Sequence, residues 1–118
     1  MIKSYKDLEV YQLSYKLALS IHKMTQTFPK EETYEISSQM RRAALSIPLN
    51  IAEGYGKKSS AKDFKRFLKI SLGSTNEMLV LISFVKDLGY ITEEEYKEYS
   101  ERYNMLGGMI YNLEKNWE

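Results

Sequence analysis

Phe64, Phe67, Ser71, Ser74, Met78, Leu81, Val85 and Leu88 recur at alternating spacings of three and four. An average step of 3.5 keeps side chains on one face of an α-helix, whereas a strand would need a step of two. The pattern is a heptad seam, and it predicts a long helix that must pack along its length against other helices. Leu68, Leu72, Thr75, Leu79 and Ile82 widen the face. Ser59 or Ser60 can cap the N-terminus, with Asp63 one turn in, and Gly89 ends the segment.

Three more helical segments read the same way. The first is predicted from about Asp7 to Thr27, with Ser4 and Asp7 as a capping box and Pro29 as the stop. It carries two apolar stripes: Val10, Leu13, Leu17, Ile21, Met24 and Phe28, and Leu8, Tyr11, Tyr15 and Ala18. The second starts near Glu31 and runs through Ile36, Met40, Ala43, Ala44, Ile47 and Ile51. Pro48 should kink it, and Gly54 is placed as its C-terminal cap before the connector Tyr55–Ser59. The last starts at Thr92, with Glu95 completing a capping box, and continues through Tyr96, Tyr99, Tyr103, Leu106, Ile110, Leu113 and Trp117. Gly107 and Gly108 should interrupt it, as a kink or as a close helix contact.

The connections are short, so neighbouring helices run antiparallel. The expected fold is an all-α, antiparallel up-down-up-down four-helix bundle, with residues 1–118 as a single domain. Two prolines and six glycines in 118 residues agree with a helical chain. There are no cysteines, which removes disulfides, thiolate metal sites and cysteine nucleophiles together. The N-terminus has no apolar signal core, and no run approaches the ~18–20 apolar residues of a membrane span. A cytoplasmic chain with no membrane partner is expected.

Catalytic chemistry finds little to stand on. His22 is the one histidine, so neither a di-iron Glu-x-x-His pair nor a nitrogen- and sulfur-ligated zinc site can be built. Gly54-Tyr55-Gly56-Lys57-Lys58-Ser59 lacks the spacing of a phosphate-binding loop. No catalytic residue, metal or cofactor is expected, and the chain reads as a non-enzyme. The polar residues Arg42, Ser46, Asn50 and Glu53 step by four, four and three along one helix face, opposite Ser71, Ser74 and Glu77. They are expected to form a polar layer between the second and third helices, with Arg42 or Arg41 paired to Glu77, rather than a catalytic glutamate pair.

The net charge of +1 conceals segregation. Residues 57–90 carry seven basic and three acidic side chains, and residues 91–118 carry seven acidic and three basic ones. Lys58, Lys62, Lys65 and Lys69 step by four, three and four on the side away from the seam. Arg66 broadens the set and Lys57 extends it into the connector. Such a face is either a solvated helix surface or a non-specific contact for the phosphates of RNA or DNA. The second stripe of the first helix and ten tyrosines exceed what one bundle buries, which points to a homo-oligomer. A protein partner docked on that surface is the competing expectation.

Asp7-Leu8-Glu9-Val10-Tyr11-Gln12, the stretch from Gln39-Met40-Arg41-Arg42 through Ser46-Ile47-Pro48 to Asn50-Ile51-Ala52-Glu53-Gly54, and Gly73-Ser74-Thr75-Asn76-Glu77 carry a further signal. The chain resembles the four-helix bundle proteins encoded in intervening sequences of bacterial large-subunit ribosomal RNA genes, once named as ribosomal proteins. The accessory variability determinant proteins of diversity-generating retroelements are similar to these. The resemblance implies an antiparallel bundle assembled into a cyclic homopentamer, with nucleic acid bound on a basic surface.

Overall fold

The computed structural model describes residues 1–118 and contains four α-helices and no strand. They are α1 (Glu9–Thr25), α2 (Ile36–Tyr55), α3 (Ala61–Asp87) and α4 (Glu93–Asn116). One-turn 3₁₀ helices at Tyr5–Asp7 and Lys30–Glu32 precede α1 and α2. Sequential helices are antiparallel: Ser46 meets Ser74 while Ile47 meets Ser71, and Gly107 meets Thr75 while Trp117 meets Phe64. The molecule is a rod of 44 × 24 × 21 Å around one cluster of 23 buried apolar residues. α3 lies along both α2 and α4, whereas α1 leans chiefly on α2.

That double contact explains how the seam of α3 is used. Phe64, Ser71, Met78, Leu81 and Val85 are buried as the spacing predicts. Phe67 and Ser74 are only half-buried and Leu88 is exposed, while Leu68, Thr75 and Ile82 are buried. The buried face has rotated toward α4, because a helix with two neighbours buries a wedge rather than a single seam.

The capping chemistry holds, with shifts in position. Ser60 caps α3, its hydroxyl accepting from the Asp63 N–H at 3.2 Å. Thr92 and Glu95 form the reciprocal box of α4, at 3.0 and 2.8 Å. Ser4 and Asp7 also form a box, but on the 3₁₀ turn, and α1 starts after it. Glu31 and Glu32 likewise sit on a 3₁₀ turn ahead of α2. There Glu32 accepts the Tyr90 hydroxyl at 2.6 Å, and the Tyr90 ring lies 5.2 Å from Phe28. The α1–α2 and α3–α4 connections are thereby latched at one end of the rod. That hydrogen bond, followed by burial, raises the Tyr90 phenol above its usual range.

Pro48 lies inside α2 as expected and is buried, and the Ser71 hydroxyl of α3 donates to the adjoining Ile47 carbonyl at 3.0 Å. Two expectations about glycines are corrected. Gly54 is not a terminal cap. It is buried inside α2, where a Cβ would stand 2.7 Å from Phe67 Cβ and 2.9 Å from Phe64 Cδ1. Nor do Gly107 and Gly108 interrupt α4, which is continuous from Glu93 to Asn116; Gly107 meets Thr75 and Leu72 at ordinary contact distance. Gly89, the expected stop of α3, does adopt the left-handed conformation (φ 81°) that favours glycine.

By length and composition α3 is long and apolar enough to cross a membrane, contrary to the reading of apolar runs alone. Ser71, Gly73, Ser74 and Thr75 break the run without lowering its average hydropathy much. In the bundle the apolar side of α3 packs against α2 and α4.

Tyr103 is the fully buried centre of α4, and its hydroxyl has no hydrogen-bond partner. Burial first, and the neighbouring Tyr99 second, push its phenol far above the usual value of 10. The folded state holds the neutral phenol, so this contribution is complete below pH 10 and is lost as pH rises beyond it toward the folded pKa. Tyr103→Phe removes an unsatisfied hydroxyl and should stabilise the protein by about 1–2 kcal/mol at pH 7. It should also flatten the loss of stability above pH 10. Urea melts of both proteins at pH 7 and in strong alkali check this; a destabilised phenylalanine variant would show that the hydroxyl is satisfied.

Candidate nucleic-acid interface

The polar residues shared by α2 and α3 divide by depth. Ser46 Oγ and Ser74 Oγ share a hydrogen bond of 2.9 Å, and Asn50 Nδ2 donates to the Ser46 carbonyl at 2.8 Å and to Ser46 Oγ at 3.1 Å. Ser46, Ser74 and Ser71 tie the helices together, and Asn50 braces Ser46 from within α2. Arg42, Glu53 and Glu77 share the face but are exposed. Neither arginine pairs with Glu77. Arg41 donates instead to Thr25 Oγ1 at 3.2 Å and to the Thr33 carbonyl at 3.4 Å. Glu77 takes a long 3.5 Å bond from Gln39, and Glu53 pairs with Lys57 at 3.8 Å across solvent. Arg42 is in no ion pair. An open furrow of about 380 Å³ runs past Arg42, Ser46, Ser74 and Glu77. Helical spacing placed these residues on one face correctly, but it carries no information on how far the face is tilted from the core.

The basic residues gather where α2 hands over to α3. Lys57, Lys58, Lys62, Arg66 and Lys69 are exposed and Lys65 is half-buried. Lys62, Asp63, Lys65, Arg66 and Lys69 line a shallow hollow of about 480 Å³. Three of the cations rest on rings: Lys58 on Tyr55 at 4.1 Å, Arg66 on Phe67 at 4.5 Å and Lys57 on Phe67 at 5.9 Å. Cation–π contact holds the charges in place without neutralising them. Lys57 and Lys69 have weak acidic partners, Glu53 at 3.8 Å and Glu114 at 3.9 Å. Lys62, Lys65 and Arg66 have none within ion-pair distance.

The two stripes of α1 also separate. Val10, Leu17, Ile21 and Met24 enter the core, with Phe28 beyond the end of the helix. In the second stripe Leu8 is buried and Tyr11 and Ala18 are half-buried, while Tyr15 is exposed. Tyr11 stacks on Tyr15 with centroids 5.8 Å apart, and Tyr5 meets Tyr11 edge-on at 4.8 Å. Burial, then Tyr5 and Tyr15, raise the Tyr11 phenol above its usual range. Helical spacing identifies this stripe but not its cationic setting, because Arg41 and Arg42 come from another helix. His22 is exposed on α1, and no cluster of His, Cys, Asp or Glu is arranged to hold a metal ion.

Residues 6–112 match the family model for the 23S rRNA-intervening sequence protein. Among solved structures, a protein of unknown function from the S23 ribosomal protein family of Bacteroides thetaiotaomicron superposes with a TM-score of 0.82. It is 25% identical, and the alignment covers 91% of this chain and 96% of that one. No curated protein matches the chain.

Proposed function

We propose, from the premise that this chain belongs to the 23S rRNA-intervening sequence protein family, that it is a non-enzymatic, oligomeric accessory protein of the cytoplasm that binds RNA or DNA without sequence preference. The observation that carries the reading is the basic face of α3, where Lys62, Lys65 and Arg66 stand together with no acidic partner. Lys57, Lys58 and Lys69 flank them. Clustered cations of this kind release counterions from a phosphate backbone, so binding should weaken steeply with salt. Titration of a structured RNA at increasing ionic strength tests it. Affinity at low salt that falls linearly on a log–log plot is expected; absence of binding at low salt ends the proposal.

Assembly is part of the same reading. Val80, Phe84 and Leu88 are 68%, 53% and 43% exposed on the outward side of α3, beyond the basic stretch. Three large apolar side chains on one unpartnered face are a contact surface in search of a cover. The resemblance to the rRNA intervening-sequence proteins, read together with their retroelement relatives, implies a pentameric ring as that cover. The same surface favours the second reading, a scaffold that docks a protein partner without nucleic acid. A protein partner retained after nuclease treatment separates them in favour of the scaffold, whereas a monomer by light scattering at micromolar concentration removes the ring from both.

A further inference from the structure

We propose that the outward face of α1 and the adjoining edge of α2 form a track for single-stranded nucleic acid. The track shares the ligand class of the preceding reading and none of its residues. Two open hollows, of about 490 and 460 Å³, meet at Tyr15, which lines both. Lys6 and Lys16 line the first, and Arg41 and Arg42 line the second. No carboxylate lines either hollow, and none of these four cations is in an ion pair. In a chain with sixteen acidic residues, an acid-free strip with four unpaired cations is complementary to an anionic strand.

The tyrosines decide which form of nucleic acid. Tyr5, Tyr11 and Tyr15 make a short aromatic ladder whose lower rungs are half-buried. Its last ring, Tyr15, is 45% exposed. A base can continue the ladder on the open side of Tyr15, and the ring beneath has already ordered the side chain it stacks upon. Lys6 and Lys16, close to the ladder, then reach the phosphates. Arg41 is fixed by Thr25 and Thr33, while Arg42 is free to follow the strand. From Tyr11 to His22 the track follows about 16 Å of helix, enough for a few nucleotides. A duplex keeps its base faces inside its own stack, so an open aromatic ring is useful only to an unpaired strand. The basic face of α3 has no such ring: Tyr55 and Phe64 are buried, and Phe67 lies under Lys57 and Arg66.

The experiment is anisotropy of the full chain with two probes, a short labelled oligouridylate and an RNA hairpin paired throughout its stem and closed by a tight loop whose bases are stacked inward. Tyr15→Leu should lower oligouridylate affinity about tenfold, the worth of one base–aromatic stack, and leave hairpin affinity unchanged. Lys6→Ala with Lys16→Ala should make the salt slope for oligouridylate shallower by about 1.4. Oligouridylate binding that Tyr15→Leu does not alter overturns the inference. So does binding of the hairpin alone, which leaves the α3 reading standing; failure of both probes to bind at low salt overturns both. A change in assembly mass on Tyr15→Leu, read by light scattering, also overturns it, because the surface is then a contact between copies of the chain.

Discussion

Phe64→Ala should cost about 3–5 kcal/mol, a large part of the 5–15 kcal/mol (roughly) that holds a typical domain together. The ring is fully buried where three helices converge. It meets Tyr55 at the end of α2 edge-on at 6.2 Å, and Trp117 just beyond α4 edge-on at 4.7 Å. Removing it leaves a hole that rigid helices cannot close, and it forfeits two aromatic pairings worth about 0.5–1.5 kcal/mol each. Gly54 forms the wall of the same site. An alanine there would gain about 1 kcal/mol of helix propensity. It would also drive a methyl group against Phe67 Cβ, which cannot move without moving α3. Net destabilisation of about 1–2 kcal/mol follows. The two substitutions should couple, since the clash with Phe64 Cδ1 disappears in the Phe64→Ala background while the clash with Phe67 stays. Urea unfolding of the four proteins in this double-mutant cycle should show Gly54→Ala costing less in that background. Strict additivity would mean that Gly54 is not there for the close approach of α2 and α3.

The packing around Phe64 also marks the border of what is legible in the sequence. Periodicity identifies four helices, their order and most of the core, because a step of 3.5 residues leaves no other regular structure. It names the flank of Leu68, Thr75 and Ile82 that widens the seam, but not that this flank is buried more deeply than part of the seam itself. Leu68, Thr75 and Ile82 replace Phe67, Ser74 and Leu88 because α3 has two neighbours, and one helix read alone cannot show where the second lies. Gly54 reads as a cap from its place before a polar connector, but the reason for it is the closeness of α3 across the interface. Arg42, Glu53 and Glu77 have the spacing of a polar layer and the depth of a surface. The basic face of α3 is readable because its charges are local. The track on α1 and α2 is not, since Lys6, Tyr15 and Arg41 meet only when the chain folds.

Substitution of Lys62, Lys65 and Arg66 together by alanine should weaken binding of a structured RNA more than tenfold at low salt. It should also make the log–log salt slope shallower by about 2.7, near 0.9 for each phosphate no longer neutralised. The size of the effect follows from which charges are already compensated. Lys57 and Lys69 lie near Glu53 and Glu114, so part of their field is cancelled before any ligand arrives. Lys57→Ala with Lys69→Ala should therefore lower affinity less per charge than the triple substitution. Conversely, Glu114→Gln frees Lys69 and should raise affinity modestly, an effect opposite in sign to any general loss of structure. Lys62 and Arg66 are exposed and Lys65 is half-buried, so thermal stability should stay within about 0.5 kcal/mol. Arg66 is the one with a packing role, over Phe67 at 4.5 Å, and Arg66→Lys keeps the charge while removing the planar stacking. If the charge alone matters, Arg66→Lys binds like the parent chain. If the triple variant keeps both the affinity and the slope of the parent, the basic face of α3 is only a solvated surface, and any nucleic acid this bundle holds is held elsewhere.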